Sequence, residues 1–441
     1  DGSVVVGDGD SSIGYVPWYW TSGTGLVQMA PTNTTGSAFA IAANAHIVTG
    51  LMYDSAPSQQ AHRWSSLSAN GASLGSVSGY ATDIAYGISG DGSTVVGQLF
   101  GTPNSAFYWD ATTGMVLIRG DSSSELSAVA RAVSADGSTI IGRAYFTAVS
   151  GSRPCKWTDP FDPAEPLDGL TSNGEAIAVS SNGSVIAGWY NPGSGQRAFR
   201  WEDGTVVDLV PGNASIAYGM SADGSVIVGT DVVSSVLNGF VWTPTGAVYL
   251  QDMSSAPSGW SAFSPTGVSS DGLTIVGYAT VAGQSKAWKW SPFVFISPSG
   301  VSVAEGEYFD GNLSSVTTSD NAYYRALNDP DTLVCSIELT GTGVGAGTQQ
   351  LSLKVESAVA RTGLTEALSF YNYATSSWEY IGGGNAPVSD TVLEGGRNNA
   401  ANFVSSGGEI KARLTWEPVN DEDPTLDGWL HRIDFALWTR L

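Results

Sequence analysis

Basic residues are scarce in this chain. Eighteen lysines and arginines stand against 41 aspartates and glutamates, a formal net charge of −23 over 441 residues. Such an acidic balance disfavours nucleic acid and anionic membrane surfaces as partners. No apolar run reaches 18 residues, so membrane insertion through a spanning helix is not expected. There are two cysteines, Cys155 and Cys335; nothing in the sequence brings their Cα atoms into bridging range, and both are expected as free, buried thiols. The three histidines, His46, His62 and His431, lack the spacing of a metal pair. A nucleophile elbow and a P-loop are also missing. Catalytic, cofactor and resident-metal residues are therefore all expected to be absent.

What the chain does have is a repeated phrase. "SADGSTIIG" from Ser134 returns as "SGDGSTVVG" from Ser89, "SSNGSVIAG" from Ser180, "SADGSVIVG" from Ser221 and "SSDGLTIVG" from Ser269, and the chain opens on "DGSVVVG". Asp-Gly between two β-branched runs predicts a hairpin with a type I′ turn. A second phrase follows each copy: "AFYW" at Ala106, "AFRW" at Ala198, "GFVW" at Gly239 and "AWKW" at Ala287. Residues two apart in a strand share a face, so Phe107 with Trp109 and Phe199 with Trp201 predict a buried aromatic side. Cys155 in "RPCKW" and His62 in "AHRW" take the phenylalanine position. Both are read as packing residues.

The glycines closing the hairpin strand (Gly7, Gly50, Gly97, Gly142, Gly188, Gly229, Gly277) recur every 41 to 48 residues, and the tryptophans keep the same beat. A strand-rich period of that length with a Gly/aromatic signature is one four-stranded propeller blade. A further short run, such as "MVLI" from Met115 or "VVDL" from Val206, supplies the fourth strand, read as opening the unit that follows. Six units then lie between Thr21 and Trp290. Asp1 to Trp20 and "FVFI" at Phe293 to Ile296 are left to assemble a seventh, unless the N-terminal strands are donated to a neighbouring molecule. The first residue falls inside a repeat, which suggests leading residues that were cleaved from, or are not included in, the sequence of an extracellular protein.

After residue 296, alternating runs such as "LSLKVES" from Leu351 and "IKARLTW" from Ile410, separated by Gly/Asn/Asp/Ser/Pro clusters, predict an antiparallel sandwich. The fold class is thus all-β: a seven-bladed β-propeller, or six blades plus a partial one, over 1–296, then a jelly-roll-like β-sandwich over 297–441. In "LSFYNY" the aromatics Phe370 and Tyr371 fall on opposite faces, which offers one of them as a sugar platform.

Asp-Gly-Ser, a valine-rich strand closed by Gly and an Ala-Phe-x-Trp strand resemble the HAF-type extracellular repeats of environmental bacteria; five of the seven copies match well. The copy around "AIAANAHIVTG" lacks Asp-Gly, and the fourth replaces Ala-Phe with Pro-Cys. "TTSDNAYY", "LSLKVESAVARTGLTEALSFYNYATSSWEYI", "IKARLTW" and "HRIDFALWT" are similar to a β-sandwich module that ends many large secreted proteins of planctomycetes. Both resemblances imply a surface or matrix location, and neither brings catalytic residues.

Other features have plainer readings. Glu125, Glu175 and Glu202 are the carboxylates a glycosidase pair would need, but are read as solvated. "NDPDT" at 328–332 and "NDEDPTLDG" at 420–428 concentrate oxygen ligands suited to calcium without EF-hand spacing. Sequons stand at Asn33, Asn182, Asn213 and Asn312. The leading expectation is a non-enzymatic extracellular structural protein whose partner is itself, in a filament or matrix. The alternatives are a surface module binding glycans and a secreted glycan-active hydrolase.

Overall fold

The structure, a computed structural model, describes all residues except 1, 30–33, 44–45, 56–57, 69, 121–126, 150, 213, 234, 253–258, 292–293, 318–322, 345–349, 361, 399, 420–429 and 441. The chain divides into two units. The first comprises Asp1–Thr243, Tyr249–Gln251 and Pro257–Ser291, and the second Pro244–Val248, Asp252–Ala256 and Pro292–Leu441.

The first unit is a seven-bladed propeller of separate antiparallel sheets. Its fifth blade is typical: Gly174–Val179, Val185–Tyr190, Arg197–Glu202 and Thr205–Asp208 pair in that order. The four are the pre-turn strand, the post-turn strand, the tryptophan strand and the outer run. Blades two to six have four strands, the outer run of the sixth being Gly246–Tyr249, most of which falls in the second unit. The pre-turn strands of successive blades neighbour one another and so lie innermost, around the axis.

The outer run belongs to the tryptophan strand before it, and not to the hairpin that follows. The linkage between those two strands shows why. Glu202 and Thr205 are joined by Asp203 and Gly204 alone, both at positive φ (45° and 79°), which is the two-residue turn that matches strand twist. As a result Val4–Ser11 and Gly14–Thr21 pair with Gly25–Gln28 as a first sheet of three strands, which lacks a pre-turn strand among the described residues. They do not complete the last blade. That blade consists of Trp260–Val268, Ile275–Val281 and Gln284–Trp290, and the expected closing run, Val294–Ile296, pairs instead with Leu430–Arg440 of the second unit. The boundary therefore falls at 291/292 rather than 296/297.

The ring closes by packing of faces. In four blades the residue before the tryptophan is a cation, and it lies over the tryptophan of the next blade: Arg63 over Trp109, Lys156 over Trp201, Arg200 over Trp242 and Lys289 over Trp20. Arg63 and Arg200 also donate to the turn-glycine carbonyls of the next blade, Gly92 and Gly224. Lys289 Nζ donates to Gly2 in the same way, at 2.6 Å. The joint between blade seven and blade one thus repeats the cation–tryptophan contact of the other joints, without the pre-turn strand that packs between successive blades elsewhere.

The repeated Ser-x-Asp-Gly-Ser phrase is not a type I′ turn. Gly137 alone takes positive φ (76°), and the aspartate is used for its carboxylate. Asp136 Oδ1 accepts from the Ser134 hydroxyl (2.5 Å), the Ser138 amide (3.0 Å) and the Ser138 hydroxyl (2.8 Å), while Ser134 Oγ accepts from the Thr139 amide (3.0 Å). The loop satisfies its own backbone groups, as Asx turns do. Asn182 makes the same set with Ser180 and Ser184, so its amide oxygen is engaged in the turn.

These bonds hold the carboxylate of Asp91, through the Ser93 amide and Ser89 hydroxyl, and that of Asp136, through the Ser134 hydroxyl and Ser138 amide, below the ordinary value of 3.8. A depressed native pKa contributes stability above the unfolded value that is lost as pH falls through the native one. The melting temperature should therefore drop as the protein is acidified below about pH 4. An Asp91→Asn, Asp136→Asn variant should flatten that acid limb, because the Asn182 turn has no carboxylate to protonate. An unchanged limb in thermal melts would exclude the turns as its source.

The periodic glycine and the periodic phenylalanine are partners. Gly97 pairs with Phe107, Gly188 with Phe199 and Gly229 with Phe240. A Cβ on Gly97 would stand 2.0 Å from the Ile84 carbonyl oxygen and 2.5 Å from the Phe107 ring. Phe107, Phe199 and Phe240 are fully buried, and so are Cys155 and His62 at the equivalent positions in blades four and two. Those two blades form four-stranded sheets despite their divergent phrases.

The second unit is a β-sandwich. One sheet orders Glu307–Asp310, Tyr324–Leu327, Leu430–Arg440, Gln350–Val359 and Thr391–Asn398. The other orders Gly300–Glu305, Cys335–Gly341, Ile410–Pro418, Leu364–Asn372 and Ser377–Asn385. Leu351, Leu353 and Val355 face Ile337, Leu368, Phe370, Leu414 and Trp416 in the core, the alternation expected of paired inner faces.

Candidate functional site

Each inner strand of blades two to seven carries a β-bulge at an equivalent position, and that of blade seven has a second register shift between Ser261 and Ser264. The register against the neighbouring strand slips across Phe39, Tyr86, Arg131, Ile177, Tyr218 and Thr266. Every one of them lies three residues before the first position of the turn phrase. A bulge re-aims the side chain it carries, and here five of the six converge on one cavity. It measures about 310 Å³ and is lined by Phe39, Tyr86, Arg131, Ile177 and Tyr218, with Ile88, Val133 and small residues between them.

Small flanks make the convergence possible. The residue before the bulge is Ala38, Ala85, Ala130, Ala176, Ala217 or Pro265, and the residue after it is Ala40, Gly87, Ala132, Ala178, Gly219 or Gly267. A Cβ on Gly87 would lie 2.7 Å from Ala132 Cα of the next blade, so the inner strands need these positions small.

Arg131 is the charged member of the ring. Its guanidinium stacks on Tyr86 at 4.5 Å from the ring centre, and its Nε donates to Glu175 Oε1 at 2.7 Å. Arg143 approaches the same carboxylate at 3.6 Å. Glu175 is buried, and with two guanidiniums beside it the cluster carries one net positive charge. Phe39 and Tyr86 stand with ring centres 5.8 Å apart. The Tyr218 hydroxyl has no partner among the described residues.

The other residues singled out by the sequence do not gather. Glu175 is held by arginines, Glu202 pairs with Arg200 at 2.9 Å near the surface, and Glu125 lies outside the described residues. Among the described residues no three His, Cys, Asp or Glu side chains stand together as a metal site would require. In "NDPDT" Asp329 accepts from the amides of Asp331 and Thr332 at 2.9 and 3.0 Å, so a local turn accounts for that loop; 420–428 lies outside the described residues. Asn312 caps a short helical turn by accepting from the Ser314 amide at 2.9 Å, while Asn33 and Asn213 are not described. His46 is exposed in the second blade's turn, and His431 is buried against Trp416. Both thiols are free and buried; desolvation pushes Cys335 up to about 12 and Cys155 well above its ordinary value, which leaves neither as a nucleophile.

The sugar platform expected at Phe370 or Tyr371 is closed. Phe370 is in the core, and the outward Tyr371 meets Tyr373 and Trp378 edge-on at 5.0 and 5.2 Å. Arg413 covers Trp378 at 4.2 Å. The axial ring escaped the sequence reading, although the small-x-small triplet three residues before each turn was its signature.

No family model matches the chain, and no curated protein does. Solved structures similar to it include the oligogalacturonate lyase from Vibrio parahaemolyticus, at 11% identity over 77% of this chain and 95% of that one, with a TM-score of 0.43. TolB from Acinetobacter baumannii is similar at 14% identity over 66% and 77%, with a TM-score of 0.42. The propeller domain of the Trilobed protease from Pyrococcus furiosus is similar at 10% identity over 57% and 95%, with a TM-score of 0.32.

Proposed function

We propose that this chain is a non-enzymatic structural protein of an extracellular surface or matrix, and that it assembles with copies of itself. The observation behind this reading is the open edge of the seventh blade. The outer run that covers the tryptophan strand elsewhere is absent there among the described residues, and Gln284, Ser285, Lys286, Ala287 and Lys289 are all exposed. An unpaired edge strand is a template for strand addition, and proteins that remain monomeric cover or blunt such edges. A strand of a second copy fits as the missing fourth strand. The acidic, lysine-poor composition and the resemblance to secreted repeat proteins support the extracellular location. Among the described residues no helix is long and apolar enough to cross a membrane.

Sedimentation velocity over a concentration series, with negative-stain microscopy of the concentrated sample, tests the reading. Concentration-dependent assembly is expected, and Ser285→Glu with Ala287→Glu should abolish it while leaving the melting temperature unchanged, since both positions are exposed. A monomer at every concentration, or assembly that ignores the edge substitutions, would overturn it.

A further inference from the structure

We propose that the axial cavity binds a small organic anion, a carboxylate carried on an apolar or C–H-rich ring. The first argument comes from the repeat itself. The fold requires the flanks of each bulge to be small and imposes nothing on the aimed residue, which is why that position varies from Phe to Tyr, Arg, Ile and Thr around the ring. Chemistry placed there is not needed for the strands to pack. This chain places three aromatic rings and a guanidinium at it, all on one cavity.

The second argument is electrostatic. None of the residues lining the cavity is acidic, although the chain as a whole carries a formal charge of −23. Arg131 is the one charged residue of the lining, and Arg143, behind it on the shared Glu175 carboxylate, leaves the cluster with one net positive charge. Stacking on Tyr86 fixes the Arg131 plane in advance, so a carboxylate meeting its outer N–H groups costs little further ordering. Phe39, 43% exposed, and Tyr218 supply faces for the body of the ligand, and the Tyr218 hydroxyl supplies a further donor. The volume suits a ligand of one ring.

Saturation-transfer NMR and calorimetric titration with benzoate and with glucuronate test this, with glucose as the neutral probe. At least one of the two anions should bind and glucose should not. Arg131→Gln should weaken binding about tenfold or more, and Tyr218→Ala should weaken it without lowering the melting temperature. Because Arg131→Gln loosens the buried Glu175, Phe39→Ala serves as a second variant whose exposure keeps folding intact. Failure of both anions to bind, equal binding of glucose, or affinities unchanged in Tyr218→Ala and Phe39→Ala would each overturn the proposal.

Discussion

Alanine at Gly97 is expected to cost the propeller about 3 kcal/mol, the upper end of ordinary overpacking. The new methyl would meet a backbone carbonyl, Ile84 O at 2.0 Å, as well as the Phe107 ring at 2.5 Å. Backbone cannot rotate away as a flexible side chain can, and the Ile84 carbonyl is held there by the bulge at Tyr86. Gly23 is the control: a Cβ there meets nothing within 4 Å, and Gly23→Ala should leave the urea midpoint unchanged. If the two variants unfold together, the pairing of periodic glycine with periodic phenylalanine is not what fixes the glycine.

Removal of residues 1–28 should be more damaging still. It takes away the whole first blade, including Trp20 beneath Lys289 and the Gly2 carbonyl that Lys289 holds. Six blades shaped for a seven-membered ring cannot close without re-angling every joint, and two sheet faces built to be buried would meet water. Loss of cooperative unfolding of the propeller is expected, read by denaturation with intrinsic tryptophan fluorescence. A milder change, Lys289→Glu, should raise amide exchange in Val4–Thr21 while the inner strands of blades three to six keep their protection. A shortened chain that retains the full-length midpoint would show that the first blade is dispensable, and with it the closing joint.

Much of the fold was legible in the sequence because its signals are local. Period, hairpin positions and the buried Phe–Trp face are fixed by residues a few positions apart. The misreadings came where a choice depends on something distant. Asp136 and Asp203 sit in the same dipeptide, yet one spends its carboxylate on two serines and stays out of positive φ, while the other adopts it. The outer run lies between two hairpins and could join either; a two-residue turn at Asp203–Gly204 decides for the earlier one. Val294–Ile296 reads as a strand in any context, and its partner lies about 140 residues away at Leu430–Arg440. The axial ring was missed because a bulge is a property of pairing, and the small-x-small triplet that marks it gains that meaning only when two strands are laid side by side.

The bulged position has a consequence for how such a chain can change over generations. Five codons, one in each of blades two to six, specify the side chains aimed at the axial cavity, and their neighbours are already small enough to accept almost any of them. Substitution there leaves the glycine–phenylalanine pairs, the cation–tryptophan joints and the serine–aspartate turns untouched. Recognition at the axis can therefore drift, be lost or be reinvented while the architecture is inherited whole.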